Sequence, residues 1–70
     1  MRSYVIVVEK ANDNYSAYAP DLPGCAATGS SPEDARARMR EAIALHLEGL
    51  REANLPVPEP LTTAYTVDVA

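Results

Sequence analysis

The sequence is poor in the residues that usually brace a small domain. It holds one cysteine, Cys25, so no disulfide can close within the chain. A lone thiol suits a reducing compartment. It also holds one histidine, His46, so a zinc site of Cys and His ligands cannot be assembled in one copy. No metal or other cofactor is expected. Basic residues are scarce: six Lys and Arg stand against ten Asp and Glu, a net charge of −4. Phosphate recognition needs clustered positive charge, so this balance opposes direct nucleic-acid binding. A basic protein partner fits better. No apolar run approaches the roughly 18 residues of a membrane span. The opening "MRSYVIVVEK" returns to charge too early for a secretory signal. The expectation is a cytoplasmic protein with no membrane contact, internal repeat or linker.

Seventy residues make one domain, taken as 1–70. A chain this short buries only about 60% of its unfolded surface, so its core is thin. With disulfides and metal excluded, oligomerisation or a protein partner is the favoured compensation.

The chain reads as alternating strand and turn chemistry, then one helix. Ser3 to Glu9, "SYVIVVE", is dense in β-branched and aromatic residues. Tyr4, Ile6 and Val8 share one face, and Val5 and Val7 the other. Apolar residues on both faces predict a central strand covered on both sides. "KANDN", Lys10 to Asn14, is turn chemistry. Tyr15 to Ala19 reads as a second strand ended by Pro20, which cannot donate to a ladder. "DLPG" makes a turn, Cys25 to Thr28 a short third strand, and Gly29 its stop. Ser31 is a good N-cap, Pro32 suits the first helical position, and Glu33 and Asp34 favour the positive end of the helix dipole. Ser31 and Asp34 have capping-box spacing. The helix is predicted to run to about Ala53. Its apolar stripe is Ala35, Met39, Ala42, Ile43, His46, Leu50 and Ala53. Asn54 can cap it, and Pro56 prevents its resumption. "LPVPEP", Leu55 to Pro60, is a stiff connector. Thr62 to Val69 alternates, with Tyr65, Val67 and Val69 on one side, and predicts a fourth strand.

The expected class is therefore α+β, in the order β-β-β-α-β. One helix covers one face of a sheet. The other face is left wanting a cover, which points to a binding module or an oligomer. Tyr4, Ile6, Val8 and His46 are the candidate interface residues. The turn residues Pro20, Asp21, Leu22, Pro23 and Gly24 are explained by backbone mechanics, and they are also a candidate partner surface.

Three sharper readings compete with bland ones. Asp21, Cys25 and His46 supply the residue types of a nucleophilic triad. Yet His46 lies within the helix's apolar stripe, and a cysteine in a short strand is usually a small buried hydrophobe. Glu9, Asp21 and Asp68 could serve a metal-dependent nuclease only if they converged, and their alternation gives no sign of that. Arg36, Arg38 and Arg40 resemble a phosphate contact. However, Glu33–Arg36, Asp34–Arg38 and Glu48–Arg51 have spacings for ordinary salt pairs on a solvated face. None of these favours an enzyme.

Tyr18 to Pro60, "YAPDLPGCAATGSSPEDARARMREAIALHLEGLREANLPVPEP", resembles the HicB-like antitoxin domain. The likeness rests on three linked pieces. These are the Pro-Asp-Leu-Pro-Gly-Cys turn within Tyr18 to Cys25, the glycine, cap and acidic helix start from Gly29 to Ala35, and the helix end and Pro-x-Pro connector from Leu47 to Pro60. The resemblance implies a partial RNase H-like fold. It also implies a module that binds and masks HicA, a small basic RNA-cleaving toxin. No helix-turn-helix or ribbon-helix-helix follows the last expected strand, so DNA binding by this chain is not expected. The other expectation from the same fold is a stand-alone cytosolic homo-oligomer without a toxin.

Overall fold

The computed structural model describes residues 2–70. It contains a three-stranded antiparallel sheet followed by one long helix, a small α+β domain. Strand β1 is Val7–Lys10, β2 is Tyr15–Tyr18 and β3 is Ala26–Gly29, in the order β1-β2-β3. Val8 pairs with Ala17, and Ala17 with Ala27. Paired residues point to the same side of a sheet, so these three face the helix. Val7, Tyr18 and Ala26 are likewise aligned and face away from it.

β1 is shorter than its β-branched run predicts. In the observed register Val7 opposes Tyr18, so continuing the ladder to Val5 would place it opposite Pro20, which has no N–H to give. The Ala19 N–H turns the other way, to the Cys25 carbonyl at 3.3 Å, and carries the β2–β3 pairing one residue past Tyr18. Gly29 does not stop β3 but is its last residue, paired with Tyr15. It is buried because the helix start lies directly against it.

The helix α1 spans Pro32–Glu52. Ser31 Oγ accepts the Asp34 N–H at 3.0 Å, as an N-cap should. The Asp34 carboxylate reaches back one residue further than in a standard capping box. It accepts the Ser30 N–H at 2.8 Å and pairs with Arg38 Nε at 3.1 Å. The helix ends in a Schellman motif. Asn54 takes a positive φ of 58°, its N–H donates to the Arg51 carbonyl at 3.0 Å, and the Leu55 N–H donates to Leu50 at 2.9 Å.

The core is as thin as the length predicts. Ala17, Ala19, Leu22, Cys25, Ala35 and Met39 are buried, and among the described residues Leu22 and Met39 are the large side chains fully enclosed. Tyr4, Ile6, Val8, Tyr15, Ala27, Ala42, Ile43 and Leu47 pack around them, half-buried. Ala35 and Met39 head the predicted helical stripe. Ala53 lies outside the core and exposed.

The predicted fourth strand does not form within the chain. Residues 55–70 contain no helix, ladder, turn or bend, apart from the exit of the helix, and 63–70 are all exposed. A strand requires a partner edge, and this segment lies against none. The radius of gyration is 13.4 Å and the longest extent 47 Å. A compact chain of this length would have a radius near 11 Å, and the projecting C-terminal arm accounts for the excess.

Candidate protein-binding surfaces

The motif "APDLPGC" folds as two successive turns, each with proline in its second position. The Leu22 N–H donates to the Ala19 carbonyl at 3.0 Å, and the Cys25 N–H to the Leu22 carbonyl at 3.0 Å. The second turn carries Pro23 then Gly24 at φ 83°, the pattern of a type II turn. The double turn drives Leu22 inward to 0% exposure. Leu22 therefore belongs to the core and not to a partner surface. Pro20, Pro23 and Gly24 remain exposed, and Asp21 is half-buried.

Asp21 is a clip. Its carboxylate accepts the Thr62 N–H at 2.9 Å and the Thr62 hydroxyl at 2.8 Å. The Thr62 N–H foremost, and then its hydroxyl, hold the Asp21 carboxyl below the usual carboxylate range against a small opposing effect of desolvation. Two further contacts tie the connector to the start of the chain. Tyr4 donates its hydroxyl to the Pro58 carbonyl at 2.6 Å, and Arg2 pairs with Glu59 at 3.2 Å. Sequence reading missed Thr62, because a threonine 41 residues from its partner carries no local signal. It placed Asp21 correctly in a turn without seeing what the carboxylate holds.

The three residues of the imagined triad are engaged otherwise. Both Asp21 oxygens are used by Thr62. Cys25 is buried, and that burial pushes its thiol pKa up, away from a reactive thiolate. His46 is half-buried in a shallow depression with Gly24, Cys25, Ala26, Ala42 and Leu45. Among the described residues no three His, Cys, Asp or Glu side chains group to hold a metal, so Glu9, Asp21 and Asp68 do not converge. Of the three predicted helical salt pairs, Asp34–Arg38 forms among the described residues, while Glu33–Arg36 and Glu48–Arg51 do not.

Two surfaces are open. One is the sheet face turned away from the helix, where Val5 and Val7 are half-buried and Tyr18 is 43% exposed. The other is a groove of about 910 Å³ between the segment that precedes β1 and the helix. Tyr4 and Ile6 line one wall, and Ala37, Ile43 and Ala44 of α1 the other. Arg2, Glu33, Arg36, Arg40 and Glu41 form its rim. The predicted interface residues thus divide. Tyr4 and Ile6 do line an open groove, on the helix side of the sheet. Val8 packs against the core on that same side, and His46 lies apart.

A family model described as the HicB-like antitoxin of bacterial toxin-antitoxin systems matches residues 4–69. Curated relatives are similar in sequence. An uncharacterised 14.9 kDa protein of Haemophilus phage HP1 is 39% identical over 80% of this chain and 42% of its own length. The chain thus spans less than half of that relative. A UPF0150 protein of Synechocystis is 38% identical over 81% of this chain and 73% of its own. A UPF0150 protein of Thermoplasma acidophilum is 31% identical over 91% of this chain and 94% of its own. No solved structure matches the chain significantly.

Proposed function

The chain belongs to the HicB-like antitoxin family of bacterial toxin-antitoxin systems, and from that premise we propose that it acts by binding protein in the cytoplasm. It masks a small, basic, HicA-like RNA-cleaving toxin and excludes the toxin's substrate, with no chemistry of its own. The observation that carries this reading is the extent of the family match, residues 4–69, which includes the double turn, the helix and the connector. The net charge of −4 supports a basic partner. So do the open groove and the exposed apolar arm, since a small domain rarely leaves such surface to water without use.

The test is genetic and direct. A reading frame beside this gene that encodes a small basic protein with a catalytic histidine is expressed in a bacterial host, with and without this chain. Growth arrest by the neighbour, relieved by this chain, is the expected result. Arrest that persists despite a soluble, folded chain refutes the reading. The second reading, a stand-alone homo-oligomer, draws on the Thermoplasma relative, whose whole length is nearly spanned by this fold. Absence of any such neighbouring frame, with purification from the native host yielding only copies of this chain, selects it.

A further inference from the structure

The outward face of the second half of α1 carries three features that its own fold does not reward. Leu45 is 71% exposed in the middle of the helix. Gly49, one turn on, is also exposed, and a Cβ there would meet nothing within 4 Å. No packing within the chain therefore requires a glycine, and glycine inside a helix weakens it. Glu48 and Glu52 stand at i,i+4 spacing, where like charges repel. They also lie in the closing turns of the helix, whose negative end favours cations.

Helical geometry brings these features together. Glu41 and Gly49 lie one turn to either side of Leu45, Glu48 is three residues after it and Glu52 seven, so all share one face. Among the described residues no cation offsets these glutamates. Arg38 is held by Asp34 at 3.1 Å, and Arg51 does not pair with Glu48. Leu45 is not an isolated apolar group. It borders a shallow depression of about 280 Å³ whose other walls are Gly24, Cys25, Ala26, Ala42 and His46, with no Asp, Glu, Lys or Arg among them. The face is thus an apolar anchor with a small apolar hollow on one side and glutamates on the other.

Its charge selects the occupant. A second copy packed face to face here would set glutamates against glutamates. Nucleic-acid phosphates and anionic lipids are repelled in the same way. A basic protein surface is attracted. We propose that this face of α1 is where the chain holds its basic protein partner. Leu45 enters an apolar pocket on the partner, lysines or arginines around that pocket meet Glu41, Glu48 and Glu52, and Gly49 lets the partner's backbone approach the helix closely. An apolar anchor inside a polar rim is the usual anatomy of a binding hot spot. Residues that weaken the free chain while serving a contact are common at functional sites. The placement rests on the masking function proposed above and adds the surface that performs it.

The probe is the small basic protein encoded beside this gene, with its catalytic histidine replaced by alanine. Calorimetric titration into the whole chain reads Kd. Leu45→Asp weakens binding by about tenfold or more. Glu48→Lys combined with Glu52→Lys also weakens it, and flattens the fall of affinity with added salt. Gly49→Gln weakens it as well. The last two proteins melt higher than the parent by circular dichroism at one fixed concentration, because each change removes something adverse to the helix. A more stable fold that binds less well is a result that a purely structural role does not give. Arg36→Glu combined with Arg40→Glu, at the groove on the other side of the helix, binds at least as well as the parent. If the parent binds and the Leu45 and glutamate variants bind as tightly, the placement is overturned while the masking function stands. If no such neighbouring frame exists, or the folded parent does not bind its product, both fall. A parent that sediments alone as a dimer, and is dispersed by Leu45→Asp, gives this face to a second copy and overturns the proposal.

Discussion

The close approach of the helix start to Gly29 gives a prediction that can be worked through. Gly29 ends β3 where the helix begins, and a Cβ built there would lie 2.7 Å from the Ala35 Cα and 2.8 Å from the Asp34 carbonyl carbon. Both atoms are backbone, so no side chain can swing aside. The helix start must retreat by several tenths of an ångström, and Ser31 caps it and Ala35 is buried in it. Overpacking of this kind costs about 3 kcal/mol. A chain of this length has about 4–10 kcal/mol in total, so Gly29→Ala should lower the melting temperature by about 10–20 °C. The other two glycines are internal controls of different sign. Gly24 has open space around it but a φ of 83°, so Gly24→Ala costs about 1 kcal/mol through the backbone alone. Gly49 is helical and unobstructed, so Gly49→Ala stabilises by about 1 kcal/mol. Thermal unfolding followed by circular dichroism at one fixed protein concentration should rank them Gly49→Ala, parent, Gly24→Ala, Gly29→Ala, from most to least stable. A Gly29→Ala protein melting within two or so degrees of the parent would refute the close packing of β3 on the helix start.

Two further predictions concern Asp21 and Cys25. Hydrogen bonds from Thr62 lower the Asp21 pKa in the folded chain below its ordinary 3.8, so the stability they lend is complete above that value and is lost as pH falls through the folded pKa. Asp21→Asn should therefore be less stable than the parent in urea at pH 6, with the gap narrowing below pH 4, whereas a gap indifferent to pH would contradict the clip. Cys25 is 5% exposed and its thiol pKa is raised by burial, so iodoacetamide should label it only in denaturant, and labelling of the native protein at the rate of a free thiol would show that the site is open.

Local chemistry was enough to read the hairpin, a turn at Asp21 to Gly24 and the helix with both its ends, while the structure resolves that turn into two successive ones. Ser31, Pro32, Asp34 and Asn54 act through neighbours a few residues away, and their roles follow from spacing alone. The family likeness was carried by the same local pieces, since turns and caps restrict residue type most strongly. The candidate surfaces were less legible. The sequence marked Tyr4, Ile6 and Val8 as one apolar face but not as the helix-facing one. It also treated Leu22 as a turn residue, although the turn exists partly to bury it.

What the sequence determined by itself is the periodicity of each segment, including the strand-like alternation of Tyr65, Val67 and Val69. Which edge a strand joins depends on where its ends are held, and only the tertiary structure decided that. Thr62 is fastened to Asp21 across 41 residues, so the arm leaves the body instead of lying beside its own β1. Alternation specifies a strand, but a ladder needs a second backbone within hydrogen-bond reach. In this fold that backbone is not supplied by the arm's own chain.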